Sequence, residues 1–303
     1  MKTADRARGK WRGILMQLGV EDRFVDPRGK HGPCPFCGGT DRYRWDNDKG
    51  NGTFICNQCG AGDGLALLMR LHGWDFRTAA SEVDRIVGGV SPEPVRRTSS
   101  EADNRERLRR LWKASLPIGE GDPAWSYLSN RGVLPASVPV CLRFVEKCPV
   151  PGGATAPAMI ALVDGLDGSA VNIHRTFLGP NGKADMDNPR ALMPGELPGG
   201  SAVRLYPVHG DRLGIAEGIE TAIAAAKRFR VPTWAALNAN NLAKWVPPSG
   251  VREVLIFGDC DVKFGGQAAA YALAHKLAAR HGVAASVHIP KTTGMDWADE
   301  DAA

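Results

Sequence analysis

The sequence contains no long hydrophobic run. Nowhere among its 303 residues do about 18 apolar residues follow one another, as a membrane-spanning helix would require. The first residues also lack the basic and then apolar pattern of a secretory signal. We therefore expect a cytoplasmic chain that does not contact a membrane. Because 43% of the residues are apolar, the chain can still build real cores, and its length suggests two or three domains.

A large net charge is also lacking, since the formal value is only +5. The charge is nevertheless unevenly placed. Residues 1–113 hold 21 Lys and Arg against 15 Asp and Glu, whereas residues 114–303 hold 17 against 18. A basic front part fits a nucleic-acid partner near the N-terminus, although a solubilising surface would give the same numbers.

Seven cysteines would be an unusual disulfide framework for a cytosolic chain, and four of them follow a tight pattern. Two C-x-x-C pairs are separated by 18 residues, which is the spacing of a structural zinc site with one tetrahedral ion shared by two turns. The predicted ligands are Cys34, Cys37, Cys56 and Cys59. We therefore expect a zinc-ribbon β domain near the N-terminus.

The segment between the two cysteine pairs alternates charged and aromatic residues. It reads as a β-hairpin that turns near Asn51-Gly52. Arg42, Arg44 and Trp45 would hold single-stranded nucleic acid, through phosphate contacts and base stacking. The alternative is that the aromatic residues cover a small core around the zinc and that the arginines are merely solvated.

Two short apolar segments in the last third of the chain lead into acidic residues. Leu213–Ala216 leads into Glu217, and Val254–Phe257 leads into Asp259 and Asp261. Each segment is typical of a buried parallel strand, and ligands bind at the carboxyl edge of such sheets. Side chains two residues apart in an extended segment point the same way, so the two aspartates can share one cation. Three converging carboxylates predict a Mg²⁺ or Mn²⁺ site suited to phosphoryl chemistry.

Composition divides the chain into four segments. Residues 1–88 form the zinc-ribbon domain with short helices, and residues 89–104, rich in Pro, Ser and charge, predict a flexible linker. Residues 105–209 form the first subdomain of a core, with a basic helix and short strands. Residues 210–303 alternate strands and helices, which predicts an α/β domain with a mostly parallel sheet and flanking helices.

Local patterns also predict individual elements. Asp63 and Asp75 are each placed to cap a helix. The strands predicted in the middle segment are Ala158–Val163, Val171–Phe177 and Val203–Leu205.

Together these motifs carry a family resemblance. The run Cys34–Gly64 resembles the zinc-ribbon head of phage and plasmid DNA primases. The segment Ala216–Ala222 with Gly258–Asp261 looks like the Toprim catalytic fold of those primases, and His174–Leu178 with Asn181–Ala184 resembles a stretch that precedes it. The resemblance covers most of the chain apart from the linker and residues 114–157.

The resemblance implies an enzyme that makes short RNA primers from ribonucleoside triphosphates on single-stranded DNA. The zinc domain would select the start sequence on the template. Asp259 and Asp261 would bind Mg²⁺ or Mn²⁺, and Glu217 would be a further ligand or the base for the attacking 3′-hydroxyl. The run Asp296–Asp299 resembles the closing acidic motif, so Asp296 or Asp299 would approach the metal, unless it is only an acidic tail.

Basic residues would contact the nucleotide or the template. Arg175 and Lys183 are the strongest candidates of a set that includes Arg190 and Arg204. Lys263 lies two residues after Asp261 and would pair with the carboxylates or reach a phosphate.

The phosphate-binding pattern G-x-x-x-x-G-K-S/T is also missing, since the three Gly-Lys pairs are followed by Trp, His and Ala. A helicase, if one is needed, would therefore be a separate chain. Two other functions stay open, a Toprim-type nuclease and a non-catalytic zinc-ribbon replication accessory protein. The intact acidic trio argues against the second. With only four tyrosines and no room for a strand-passing domain, a topoisomerase is disfavoured.

Overall fold

A computed structural model of the protein describes residues 2–92, 101–151, 153–180, 182–195 and 197–302, with the backbone alone for residues 301 and 302. The chain divides into two compact units, Met1–Thr98 and Ser99–Ala303. Each unit has its own hydrophobic core. No helix in the described ranges is both long enough and apolar enough to cross a membrane.

The N-terminal unit combines a small antiparallel sheet, in the order β1-β2-β3-β4, with four helices. Short 3₁₀ turns occur at Asp22–Phe24, Asp48–Gly50 and Val87–Gly89. The strands are β1 (Gly32–Cys34), β2 (Gly38–Trp45), β3 (Phe54–Cys56) and β4 (Gly60–Gly62), and the helices are α1 (Thr3–Ala7), α2 (Trp11–Gln17), α3 (Gly64–His72) and α4 (Phe76–Ile86).

Both helix caps predicted in this unit are confirmed. The Asp63 carboxylate accepts a hydrogen bond from the backbone N–H of Ala66 at 2.9 Å, and Asp75 accepts one from Thr78 at 2.7 Å. Each bond satisfies a backbone donor that has no partner within the helix itself, which fixes where α3 and α4 begin.

The predicted linker is only partly described. Residues 93–100 lie outside the described residues. Residues 101–104 were predicted to be flexible, but they form the start of helix α5, so this part of the prediction is wrong. Glu101 and Asp103 lie in the first turn, where the positive end of the helix dipole stabilises their negative charges. Glu101 also pairs with Arg105 one turn later.

The first part of the C-terminal unit is a second antiparallel sheet, in the order β10-β8-β7-β6-β5, with β9 paired to β8. The predicted strands Ala158–Val163 and Val171–Phe177 are confirmed within β7 and β8, whereas Val203 makes only a single bridge, to Ala235. The elements are α5 (Glu101–Ala114), β5 (Leu116–Pro117), α6 (Pro123–Asn130), β6 (Leu142–Pro149), β7 (Thr155–Asp164), β8 (Ala170–Gly179), β9 (Gly182–Lys183) and β10 (Arg190–Leu192).

The last part of the C-terminal unit is the predicted parallel sheet with flanking helices, and the α/β fold class is confirmed. Its strand order is β12-β11-β13-β14. The elements are β11 (Arg212–Ala216), α7 (Ile219–Phe229), β12 (Thr233–Ala235), α8 (Ala239–Lys244), β13 (Glu253–Phe257), α9 (Gly265–Lys276, continued by a π-helical turn at Leu277–His281), β14 (Ala284–His288) and α10 (Trp297–Ala302).

Both faces of this parallel sheet are buried. Leu213 and Ile215 of β11 belong to a core that includes residues of α8 and α9. Ala216 belongs to a different core, which includes Ile219 and Ala222 of α7. Helices on both faces explain why these strands are short continuous apolar runs in the sequence.

The strand order creates a switch point at the carboxyl edge of the sheet. From β11 the chain moves outward to β12, and from β13 it moves in the opposite direction to β14. Between β11 and β13, Ala216 is paired directly with Phe257. The residues that follow these two strands are therefore neighbours at the crevice where ligands bind in open α/β sheets.

Candidate active site and zinc centre

The four cysteines predicted to bind zinc come together at two turns of the small sheet. Their sulfur atoms all lie within 4.8 Å of one another. The distance between the sulfurs of Cys34 and Cys59 is 3.9 Å, and that between Cys37 and Cys56 is 3.7 Å. Tetrahedral zinc with Zn–S bonds of about 2.3 Å requires sulfurs about 3.8 Å apart. The cluster fits one structural zinc ion.

The surroundings of the sulfurs favour thiolates. The backbone N–H groups of Gln58 and Cys59 each point at the Cys56 sulfur from 3.4 Å. Burial would raise the pKa of Cys56, but these two donors, together with hydrogen bonds from Cys34 and Cys37, lower the pKa to about 6. Hydrogen bonding to Cys37, together with burial, raises the pKa of Cys59 to about 12. Four thiolates this close together need a cation to ionise fully.

The aromatic residues between the cysteine pairs face the core. Trp45 is 3% exposed, and Tyr43 and Phe54 are buried beside it with their rings 5.6 Å apart. The prediction that Trp45 stacks on bases is therefore wrong for this conformation, because its ring lies in the core of the N-terminal unit. Arg42 and Arg44 are half-buried, and their contact with a template stays a prediction.

The carboxylates predicted at the parallel sheet do converge. Glu217 follows β11 directly, and Asp259 lies two residues after β13, which is the strand next to β11. The charges of Glu217, Asp261 and Asp296 all act on Asp259. Their oxygens are spread more widely than the cysteine sulfurs, since within the described ranges the four cysteines alone gather inside 4.8 Å.

Asp259 is the most perturbed member of this acidic cluster. Burial, and then the charges of Glu217, Asp296 and Asp261, raise its pKa to about 7. One of its carboxylate oxygens, Oδ1, is buried without a hydrogen-bond partner. Burial and the Asp261 charge also raise the pKa of Glu217. A buried carboxylate oxygen without a donor, surrounded by like charges, suits a cation ligand.

The loop that holds the two aspartates is fixed by the start of α9. The Asp261 Oδ2 atom accepts a hydrogen bond from the Gly266 backbone at 2.7 Å. A Cβ atom on Gly266 would lie 2.8 Å from the carbonyl oxygen of Asp259, which is closer than real Cβ contacts allow. Glycine at this position therefore permits the close approach of helix and loop.

The closing acidic motif splits into two roles. Asp296 acts electrostatically on Asp259 and so belongs to the acidic cluster. Asp299 pairs at 2.7 Å with Arg131, the residue after α6, and the same guanidinium reaches Asp296 at 3.2 Å. Of the two acids considered from the sequence, Asp296 is therefore better placed for a metal than Asp299. Sequence reasoning missed Arg131, which is 165 residues away from Asp296.

Cations from the antiparallel sheet face this cluster. Arg190 of β10 favours the ionised forms of both Glu217 and Asp259. Lys183 of β9 is half-buried and interacts electrostatically with Asp296. Burial lowers the pKa of Lys183. One end of the site is thus acidic and the other basic.

Arg175 does not face the site. It is 3% exposed, and its guanidinium donates to the carbonyl oxygens of Pro149 and Leu192, the latter at 2.6 Å. The prediction that Arg175 binds nucleotide or template is wrong, because its donors serve the backbone of neighbouring strands. Lys263 is exposed beside Asp261, and its role stays a prediction. Arg204 also serves the backbone, donating to Gly165 at 2.7 Å.

A second buried polar group adjoins the site. Glu220, in the first turn of α7, accepts a hydrogen bond from the hydroxyl of Tyr127 on α6. His174 lies nearby in β8, and burial lowers its pKa to about 4, so the imidazole is neutral. Sequence reasoning gave Glu220 no role. The available signal was an acid in the first turn of the predicted helix, where the positive end of the helix dipole stabilises a carboxylate.

Three family models match the chain. Residues 29–65 match a zinc-binding domain of primase-helicase, and residues 212–301 match a Toprim domain. Residues 102–205 match a domain of unknown function (DUF7146).

Several solved structures are similar to this chain at low sequence identity. The zinc-binding and RNA polymerase domains of the Aquifex aeolicus primase are 14% identical, with a TM-score of 0.46, covering 99% of this chain and 81% of that one. The primase fragment of the bacteriophage T7 primase-helicase is 13% identical, with a TM-score of 0.40, covering 90% and 97%. The RNA polymerase domain of the Mycobacterium tuberculosis primase is 15% identical, with a TM-score of 0.37, covering 66% and 77%.

The two matched domains of known type agree with the motifs in the sequence. The chain has an N-terminal zinc ribbon and a C-terminal Toprim domain whose acids converge at the switch point of its sheet. Because the zinc-binding domain is of the primase type, the chain has the domain composition of a DNA primase, and the resemblance noted in the sequence is confirmed.

Proposed function

We propose that this chain is an active DNA primase that synthesises short RNA primers on single-stranded DNA by metal-dependent nucleotidyl transfer. The observation that carries the proposal is the meeting of Glu217 and Asp259 at adjacent strand ends, with Lys183 and Arg190 opposite. Carboxylates that attract a cation and cations that attract phosphate are both needed to hold a triphosphate for in-line attack.

Asp259, Asp261 and Glu217 would hold a divalent cation, Mg²⁺ or Mn²⁺, with Asp296 beside them. The buried, unpartnered oxygen of Asp259 fits a cation ligand. Mg²⁺ commonly binds one or two carboxylates and keeps several waters, so it does not require all of these acids as ligands. When bound, the metal supplies neutralising charge at the phosphates of the nucleotide.

The side chains around this metal position would have separate tasks. The Glu217 carboxylate accepts a hydrogen bond from the backbone N–H of Ala239, which orients the carboxylate. It would bind the metal or accept the proton of the attacking 3′-hydroxyl, for which its raised pKa is suited. Lys183 and Arg190 would bind the triphosphate. Lys263 would reach a phosphate from the solvent side.

The zinc ribbon would contact the template. Zinc holds its two turns together, and Arg42 and Arg44 lie on the strand between the cysteine pairs, where they can contact the DNA backbone. The 303 residues contain no P-loop, so we propose that a separate helicase opens duplex DNA where this is needed.

A primer-synthesis assay tests the proposal. The purified chain is incubated with single-stranded circular DNA and labelled ribonucleotides, with Mg²⁺ or with Mn²⁺. Short template-dependent oligoribonucleotides are expected. Asp259→Ala should lower their yield at least about a hundredfold, because several kcal/mol of charge stabilisation would be lost. Asp211→Ala is the matched control, since Asp211 is exposed and precedes β11 at the opposite edge of the sheet.

The products distinguish the three candidate functions. Oligoribonucleotides that disappear in Asp259→Ala support a primase. Shortened DNA without oligoribonucleotides would indicate a Toprim-type nuclease instead. DNA binding with no new product of either kind would indicate an accessory protein and would refute the catalytic proposal.

A further inference from the structure

Glu220 is a buried acid that none of the steps above uses. Its side chain lies in the first turn of α7 and is 4% exposed. The hydroxyl of Tyr127, itself buried, donates a hydrogen bond to it. Tyr127 belongs to the segment matched by the domain of unknown function, and Glu220 belongs to the Toprim domain. The pair therefore connects two matched domains inside one compact unit.

The charge of Glu220 is compensated by the cations of the active site. Burial would raise the pKa of Glu220, but the Lys183 charge, the Tyr127 hydrogen bond and the Arg190 charge outweigh it and lower the pKa. His174 also lies near Glu220, but its imidazole is neutral. Lys183 and Arg190 are therefore the positive charges that face this buried carboxylate.

We propose that Glu220, assisted by Tyr127, is a positioning residue that holds Lys183 and Arg190 toward the acidic cluster, where they bind the triphosphate of the incoming nucleotide. This inference rests on the proposed function. It also assigns a task to the segment 102–205, which is to bring the basic half of the site to the acidic half.

The local structure explains why such an anchor is needed. Lys183 lies in β9, a strand of two residues, and Arg190 begins β10, a strand of three. Strands this short restrain their side chains weakly. The Lys183 ammonium also lies 6.0 Å from the centre of the Tyr127 ring, so the same tyrosine interacts with the acid and with the lysine.

Four charged groups act most strongly on Lys183. Glu220 of α7 and Asp296 before α10 attract its ammonium, whereas Arg190 of β10 and Arg131, which follows α6, repel it. Removing the Glu220 charge leaves two cations against one acid. The ammonium is then expected to move away from Arg190, out of the position in which both can contact one triphosphate.

The test is a double-mutant cycle on nucleotide binding, with the full chain loaded with zinc. The dissociation constant of ATP with Mg²⁺ is measured without template for the wild type, Glu220→Gln, Lys183→Gln and the double variant. Glutamine keeps the shape of Glu220 and can still accept the tyrosine hydrogen bond. Glu220→Gln should weaken ATP binding about tenfold, which is about 1.4 kcal/mol. Adding Glu220→Gln to Lys183→Gln should weaken binding further by clearly less than tenfold, because Glu220 then acts through Arg190 alone.

Kinetics and a control separate positioning from loss of fold. In primer synthesis, Glu220→Gln should raise KM for the ribonucleotide about tenfold and change kcat less than about threefold. The control is Glu253→Gln, which should leave KM unchanged. Glu253 forms an exposed ion pair with Arg212 at the far edge of the sheet. If Glu220→Gln fails to fold, Tyr127→Phe is used in the same cycle, with an expected threefold weakening.

The outcomes are distinct. Wild-type affinity in Glu220→Gln, additive effects in the double variant, or wild-type affinity in Tyr127→Phe would each overturn the inference. So would the absence of ATP binding by the wild-type chain. Intact binding and coupling in a chain that makes no primers would leave this inference standing and refute the proposed function alone.

Discussion

Replacing Asp259 with asparagine should stabilise the protein when Mg²⁺ and Mn²⁺ are absent. The carboxyl group of Asp259 has a pKa of about 7 in the folded chain, against an ordinary value of 3.8. Each pKa unit corresponds to about 1.36 kcal/mol, so the ionised carboxylate costs the folded state up to about 4 kcal/mol above pH 7. Asparagine removes this cost because it carries no charge.

The stability gained by Asp259→Asn depends on pH. Between pH 4 and 7 the folded protein binds a proton at Asp259 that the unfolded chain has lost, so stability falls as the pH rises through this range. At pH 5 the cost is only about 1.6 kcal/mol, because the folded carboxyl is still protonated. The advantage of Asp259→Asn should therefore grow from pH 5 to pH 8. Mn²⁺ should stabilise the wild type and leave the variant almost unchanged.

Native-state hydrogen exchange of the β11 and β13 amides provides the assay, because it reports on this unit alone. The zinc-loaded protein is measured at pH 5 and pH 8 without Mg²⁺ or Mn²⁺, and then with Mn²⁺. Asp211→Asn serves as the control for loss of a carboxylate from the same sheet. Equal opening free energies of wild type and Asp259→Asn at pH 8, or a gain that does not depend on pH, would refute the reasoning.

Three further variants test other parts of the molecule. Cys56→Ser should abolish zinc binding, measured by atomic absorption, and shift the preference for initiation sites. Hydrogen exchange in the C-terminal unit should stay unchanged. An unchanged site preference would contradict the role of the zinc head. Trp45→Ala should destabilise the N-terminal unit by about 3–5 kcal/mol in urea, as expected for a core residue, and a stable variant with weakened DNA binding would restore the stacking role. Gly266→Ala should weaken Mn²⁺ binding, measured by calorimetry, at least about tenfold, because the added Cβ displaces the Asp259 backbone. Wild-type affinity would show that the loop tolerates the shift.

The parallel sheet could be predicted because its strands are buried on both faces. Such strands appear in the sequence as short apolar runs, and the chemistry at their carboxyl ends follows from the fold. The direct pairing of Ala216 with Phe257 then places Glu217 beside the residues that follow β13. Convergence of the acids therefore needed only the strand positions and the parallel direction.

Strand β6 could not be predicted because its side chains do not alternate. Its buried residues are Leu142, Val145 and Cys148, three positions apart instead of two. Leu142 and Val145 are buried in different cores, on opposite faces of the strand. A break in register between Val145 and Cys148 then places Cys148 in the same core as Val145, since an extra residue in one strand changes the face of all that follow. A local pattern search has no means of locating such a bulge.

The error at Trp45 has a different origin. In β2, Tyr43 and Trp45 share one face and Arg42 and Arg44 share the other. The alternation itself was correctly read as a strand. Which face is covered depends on α2 and the other helices of the unit, and residues such as Trp11, distant in sequence, fill that side. Tertiary packing decided between the two interpretations that the pattern allowed.

The zinc ligands and the acidic cluster differ in how far apart their residues lie in the sequence, and this difference bears on the order in which they can assemble during translation. The zinc ligands span only residues 34 to 59, so this cluster can assemble soon after it leaves the ribosome. The acidic cluster joins residues from Glu217 to Asp296, and Asp296 also pairs with Arg131, 165 residues before it. A growing chain can therefore complete the cysteine cluster well before the acidic cluster has all of its carboxylates.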